Sequence, residues 1–335
     1  MNHAVPMRGV RMAGATALGV LLLWAPAIRA DEVVDDFEVT VPDEVEEAVV
    51  VEEPCPECKV PNSGRIGFNM GWDVTTAYYF RGLRQQDRGF IQQPWGNVTF
   101  SLYQGEGPFS SVSLQAGTWN SIHSRDQGED GAQNWYEADL IAGATIGLFD
   151  DMVSLGFGHT TYASPNNSFS AVHEVDFTLG FDDSEWLGTF ALNPQILWAL
   201  ETHNTASGLS PDGTVDTGSP DKGTYMQLSL GPEIPLWEGD SAMTLSVPAI
   251  LGLSLDNYYE TLDTSKPSGK SNPTFGYFQT GMTFGIPLPF VPVEYGSWQV
   301  SAGWQVLVLG KTLRKINRNE DNQTFVGLGG ISMSY

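Results

Sequence analysis

From residue 65 onward the chain alternates. Ile66, Phe68, Met70, Trp72 and Val74 fall on one side of an extended segment, and Gly67, Asn69, Gly71, Asp73 and Thr75 on the other. A period of two belongs to a β-strand, whose successive side chains point to opposite faces. The pattern returns at 133–149, where Tyr136, Ala138, Leu140, Ala142, Ala144, Ile146 and Leu148 oppose Glu137, Asp139 and Thr145. At 170–181 His173, Val175, Phe177, Leu179 and Phe181 oppose Glu174, Asp176, Thr178 and Gly180. At 296–309 Trp298, Val300, Ala302, Trp304, Val306 and Val308 oppose Gln299, Ser301, Gly303 and Gln305. Twelve strands are expected in all: 65–76, 91–104, 109–121, 133–149, 151–162, 170–182, 190–201, 223–236, 243–256, 274–288, 296–309 and 324–335.

The connections sort by length. Long polar stretches such as "TAYYFRGLRQQDRG" and "LDNYYETLDTSKPSGKSNP" take turns with short ones such as "QGEG", "DD" and "EGDS". That asymmetry is the mark of an outer-membrane barrel, with short periplasmic turns and longer extracellular loops. Each run reaches the roughly 9–11 residues a tilted strand needs to cross a bilayer. The polar face is rich in Gly, Ser, Gln, Asn and Thr, too little apolar matter for a core. Facing it outward would put Glu137, Asp139, Glu174 and Asp176 in lipid, where a cation costs about 2–4 kcal/mol at the midplane and a carboxylate somewhat less. The large residues therefore face out. The expected fold is all-β: an antiparallel transmembrane barrel of about twelve strands, with Trp72, Tyr136, Trp198 and Trp298 as outward girdle aromatics. Pro94, Pro194, Pro232 and Pro248 fall inside expected strands and predict bulges or shortened strands, because each removes a ladder donor.

Residues 1–30 have the form of a secretory signal: Arg8 and Arg11, then "AGATALGVLLLWAPAI", then Ala30. After residue 30 no apolar run is long enough for a membrane helix. Any span must be made of strands, and the expected location is the outer membrane. The whole chain carries net charge −24, and the three arginines of the signal leave the rest at −27. Such a chain does not bind nucleic acid through its phosphates. Residues 31–62 hold many of those acids and four prolines, and are expected to be a disordered acidic linker. A periplasmic partner for this linker is one possible use of it. Residues 63–335 then form the barrel. Cys55 and Cys58, in "EEPCPECK", form a disulfide candidate in an exported chain. The surrounding glutamates disfavour a reactive thiolate, and an intermolecular link or metal role stays open.

Catalysis and metal binding have little to work with. His159 lies near Ser164, a loose match to the His/Ser pair of a barrel phospholipase, but a pair on one strand face needs a spacing of two and that position is Thr161. His159 and His173 are expected on the outer rim. Asp126, Glu129 and Asp130 lack the full pattern of a calcium loop. No catalytic residue, metal ligand or cofactor is expected. The inward face carries the chemistry. Asp73, Glu137, Asp139, Glu174, Asp176 and Glu233 point to the lumen with Arg81 the clearest base nearby, and Trp95, Trp119, Tyr225 and Tyr277 narrow the path or stack a ring-bearing solute. These groups either line a narrow aqueous path or plug it.

In residues 71–95 the matches Tyr78, Phe80, Arg81, Gly82 and Gln85 resemble the opening of the TorF-like family of outer-membrane porins. The long acidic Cys-bearing linker and the longer loops depart from that family. The resemblance implies location, architecture and passive transport. The last strand, with Ile331, Met333 and terminal Tyr335 on one face, resembles the insertion signal that barrel-assembly machinery reads in outer-membrane proteins. Together these imply a porin-like barrel in contact with outer-membrane lipids, passing small polar or cationic solutes. A structural barrel with a partner-binding acidic tail, or a lipid hydrolase, are the alternatives.

Overall fold

The computed structural model describes residues 64–125, 133–204, 222–237, 242–262, 265–317 and 322–335. The expected signal, the acidic linker with Cys55 and Cys58, and the acids Asp126, Glu129 and Asp130 lie outside the described residues. Twelve strands form one closed antiparallel barrel. They run β1 (Ile66–Thr75) and then, past a short pair β2 (Tyr78–Phe80) and β3 (Leu83–Gln86) that takes no part in the wall, β4 (Ile91–Gln104), β5 (Ser111–His123), β6 (Trp135–Leu148), β7 (Val153–Ala163), β8 (Val172–Phe181) and β9 (Gln195–His203). Two broken strands follow, β10 (Thr224–Leu230) with β11 (Glu233–Pro235), and β12 (Thr244–Ser246) with β13 (Ala249–Asp256). After a short separate pair, β14 (Thr261–Leu262) and β15 (Lys270–Ser271), the strands β16 (Phe275–Pro287), β17 (Ser297–Leu309) and β18 (Gln323–Ser334) complete the wall. Each strand pairs with its sequence neighbour, and β18 pairs with β1 to close the ring. Closure leaves no unpaired edge, which a hydrocarbon surrounding demands. Tyr335 exchanges both backbone hydrogen bonds with Phe68 at 2.8 Å, so the final residue is part of the seam.

The prolines act where the missing N–H requires it. Pro232 separates β10 from β11, Pro248 separates β12 from β13, and Pro194 sits just before β9. Pro94 stays inside β4 and pairs with Trp72 of β1, but Gln93 and Pro94 drop out of the ladder with β5. The expected strand at 190–201 starts later, because 184–190 form a short helix, α1 (Ser184–Leu187), and a 3-10 turn. Among the described residues no helix is long and apolar enough to cross a membrane.

The two faces separate as the alternation implies. Leu140, Phe157, Leu179, Trp198, Met282, Phe284 and Ile331 are exposed on the outer wall, as are Trp72 and Tyr335. Asp139, Asp176, Gln227, Gln279 and Gln305 are buried inside. A water-soluble barrel would have these compositions reversed.

One girdle position is corrected. Tyr136 points inward and is 3 % exposed. Between β5 and β6, Ser121 pairs with Glu137 and Ile122 with Trp135, so Tyr136 is the extra residue of a β-bulge. A bulge shifts the alternation by one, which puts Trp135 outside at 42 % exposure and both Tyr136 and Glu137 inside.

Candidate functional site

The end of the barrel away from the termini is filled from within. The connection 76–90 folds down into the lumen as a small hairpin, β2 (Tyr78–Phe80) and β3 (Leu83–Gln86), rather than standing in solvent as a loop. Its sequence explains this. "YYF" is too apolar to remain exposed, and "RG" between paired Phe80 and Leu83 makes a two-residue turn with positive φ at both positions, +47° at Arg81 and +80° at Gly82. Such a turn matches the strand twist, but it favours Asn-Gly over Arg-Gly. Arg81 therefore holds a left-handed backbone that costs a non-glycine residue roughly 1–2 kcal/mol. Its side chain supplies the compensation.

Arg81 is 5 % exposed and, among the described residues, the only buried Lys or Arg. Its Nη1 and Nη2 donate to Glu174 Oε2 and Oε1, each at 2.6 Å, and Nη1 also donates to the Tyr258 hydroxyl at 3.0 Å. The guanidinium carbon lies 4.2 Å from the centre of the Tyr225 ring, 5.1 Å from Phe80 and 5.4 Å from Tyr258. Burial pushes the guanidinium pKa down, and the Glu174 carboxylate together with the Tyr258 and Tyr162 hydroxyls more than restores it, so the net shift is upward and Arg81 stays charged.

Other bonds latch the same hairpin to the wall. Tyr78 donates to Glu137 Oε2 at 2.8 Å, and Tyr136 donates to Gln85 Oε1. Tyr259 donates to the Arg81 carbonyl at 2.9 Å. From the opposite side α2 (Lys311–Ile316) seats Leu313 and Ile316 against the plug, and the following Asn317 grips its backbone. The Asn317 amide donates to Gly82 O at 2.8 Å and accepts from Arg84 N at 2.9 Å. Beneath the plug the lumen changes character. Gly67, Asn69, Ser113, Thr145, Ser154 and Ser332 line the half nearer the termini with small, partly exposed side chains.

The residues singled out from sequence divide accordingly. Arg81, Glu174, Tyr225 and Tyr277 converge, with the Tyr225 and Tyr277 hydroxyls 3.0 Å apart. Glu137 and Trp119 meet the plug through Tyr78, whose ring lies 5.3 Å from Trp119. Asp139 and Asp176 are buried on the wall, Asp139 close to Glu137. Asp73 stands apart and accepts from Trp95 Nε1 at 2.9 Å. Glu233 shares the inward face of Ser246 and Thr283 by register, away from the plug. His159 and Ser164 do not pair, since the Ser164 hydroxyl donates to Tyr136 O at 2.8 Å inside its loop. His159 and His173 lie on the outer wall, their rings 5.8 Å apart.

Sequence reading missed Tyr162, Tyr258, Tyr259 and Glu201. All four are buried, and Glu201 accepts from Gly223 N at 2.6 Å. The doublets Tyr78-Tyr79 and Tyr258-Tyr259 were the available signal, since paired aromatics in a polar connection have to find cover.

No family model matches the chain, and no curated protein matches it. Similar solved structures include the NanC porin, at 9 % identity and TM-score 0.39 over 80 % of this chain and 98 % of that one. The COG4313 outer membrane channel from Pseudomonas putida F1 matches at 10 % and 0.42 over 84 % and 100 %. Salmonella typhi OmpF, in complex with daunomycin, matches at 7 % and 0.33 over 81 % and 97 %. Likenesses at these TM-scores carry no argument about solute or mechanism. The TorF-like resemblance is not confirmed by any of them.

Proposed function

We propose that the protein is a porin-like outer-membrane barrel that passes small cationic or polar solutes when the inward hairpin is released. The observation that carries this reading is the lumen's charge. Glu137, Asp139, Glu174, Asp176 and Glu201 are buried on the inner wall, with Arg81 the one buried Lys or Arg among the described residues. In a narrow, low-dielectric passage fixed charges act strongly on a passing ion. Five wall carboxylates therefore favour cations once Arg81, the buried cation of the plug, withdraws. Lipid contact follows from the apolar outer wall. Ile331, Met333 and Tyr335 serve as the signal for the assembly machinery in the same reading.

The latch itself favours the second reading, a barrel that stays shut while its acidic 31–62 segment engages a periplasmic partner. Planar-bilayer recording under a salt gradient decides between them. The expected reversal potential is that of a cation-selective pore, and its selectivity drops in the Glu137→Gln/Asp139→Asn double variant. Anion preference, or silence in every variant that frees the hairpin, would overturn the channel.

A further inference from the structure

We infer that the wall facing the plug is a guanidinium receptor occupied by the chain's own Arg81, so that solutes carrying a guanidinium group are the ones that displace the hairpin and bind. The inference rests on the channel reading for its consequence, but the site itself is defined by geometry alone.

The receptor half belongs to the barrel. Glu174 is on β8, Tyr162 on β7 and Tyr225 on β10, with Tyr258 in the connection that follows β13. Glu174 and Tyr225 are oriented by bonds that do not involve the hairpin. Tyr162 donates to Glu174 Oε1 at 3.0 Å, which fixes the carboxylate plane. The Tyr225 hydroxyl reaches Tyr277 at 3.0 Å and Gln227 Oε1 at 3.1 Å, which fixes the ring. A site held in place before its ligand arrives loses little entropy on binding.

What it presents is specific to a flat, forked cation. Two carboxylate oxygens meet two nitrogens of one guanidinium at 2.6 Å, and a tyrosine face lies 4.2 Å from its carbon. An ammonium group offers neither the fork nor the planar stacking surface. Asp139 and Asp176 are buried on the same stretch of wall, Asp176 with one oxygen unbonded, so the neighbourhood stays attractive to a cation when Arg81 leaves. The strained Arg81–Gly82 turn gives the hairpin a reason to release.

The test uses the full-length barrel refolded in lipid vesicles, with methylguanidinium as probe and methylammonium at equal ionic strength as control. In Arg81→Ala, methylguanidinium is expected to raise the heat-modification midpoint by several degrees and methylammonium to leave it unmoved. Adding Glu174→Gln removes the rescue. In the unsubstituted barrel, methylguanidinium is expected to increase trypsin cleavage of the hairpin several-fold at concentrations far below denaturing ones, which keeps the idea testable if Arg81→Ala fails to assemble. Equal responses to the two cations, or none, would overturn the receptor. Bilayer current through Arg81→Ala is recorded in parallel. Rescue without current leaves the receptor standing and removes the channel, whereas current with no guanidinium preference does the reverse.

Discussion

Glu174→Gln is the sharpest perturbation of the latch. The Arg81–Glu174 pair has side chains 4 % and 2 % exposed, so neither charge is solvated while the hairpin is seated. The amide keeps one acceptor oxygen but loses the charge, leaving Arg81 with the Tyr258 hydroxyl at 3.0 Å and the Tyr225 face at 4.2 Å. Both of those contacts exist before and after the change, so they offset nothing. Removing one partner of a buried pair costs about 3–5 kcal/mol. The retained oxygen argues for the lower figure. When the hairpin withdraws, Arg81 regains water and the penalty disappears, so the cost falls on the seated state alone. At 1.4 kcal/mol per tenfold, 3 kcal/mol enlarges the released population roughly a hundredfold. Trypsin cleavage after Arg84, mapped by mass spectrometry, reads release directly, and single-channel open probability reads its consequence. The second substitution Arg81→Met removes the stranded charge, and the double variant is expected to recover most of the protection, since replacing both members of a buried pair with fitting apolar groups is often near neutral. A Glu174→Gln barrel as resistant as the parent, or a double variant more exposed than the single one, would refute this account of the latch.

Two further outcomes follow from the same geometry. Gly82→Ala is expected to loosen the hairpin by about 1–2 kcal/mol, because φ is +80° and a Cβ would lie 2.7 Å from Leu313 and 3.0 Å from Tyr277; protease accessibility equal to the parent would contradict it. The phenols of Tyr78 and Tyr79 are held above their ordinary pKa by burial, with Glu137 adding to the shift at Tyr78. The released, hydrated phenols lose protons first, so the hairpin is stable below about pH 10 and weakens as pH rises past it. Open probability should climb through that window and flatten in Tyr78→Phe/Tyr79→Phe; a response that begins in acid would have the wrong sign.

Alternation alone determined most of the wall. Asp139, Glu174 and Asp176 could be assigned to the lumen without coordinates, because a period of two leaves each strand only two faces, and lipid tolerates a carboxylate on neither its surface nor its edge. Break points were legible too, since Pro232 and Pro248 lack a ladder donor wherever they stand. Tyr136 was not legible, because a bulge is set by how two strands meet and leaves no mark on the alternation of one. Nor was the plug. The sequence of 76–90 reads as a long loop between strands, and only the closed ring supplies an interior wide enough to receive it and a wall to meet it. Arg81 and Glu174 stand 93 residues apart, and Tyr258 is further still along the chain. Their convergence depends on barrel closure bringing β8, β10 and the connection after β13 around one hairpin, which is a property of the ring and of no segment in it.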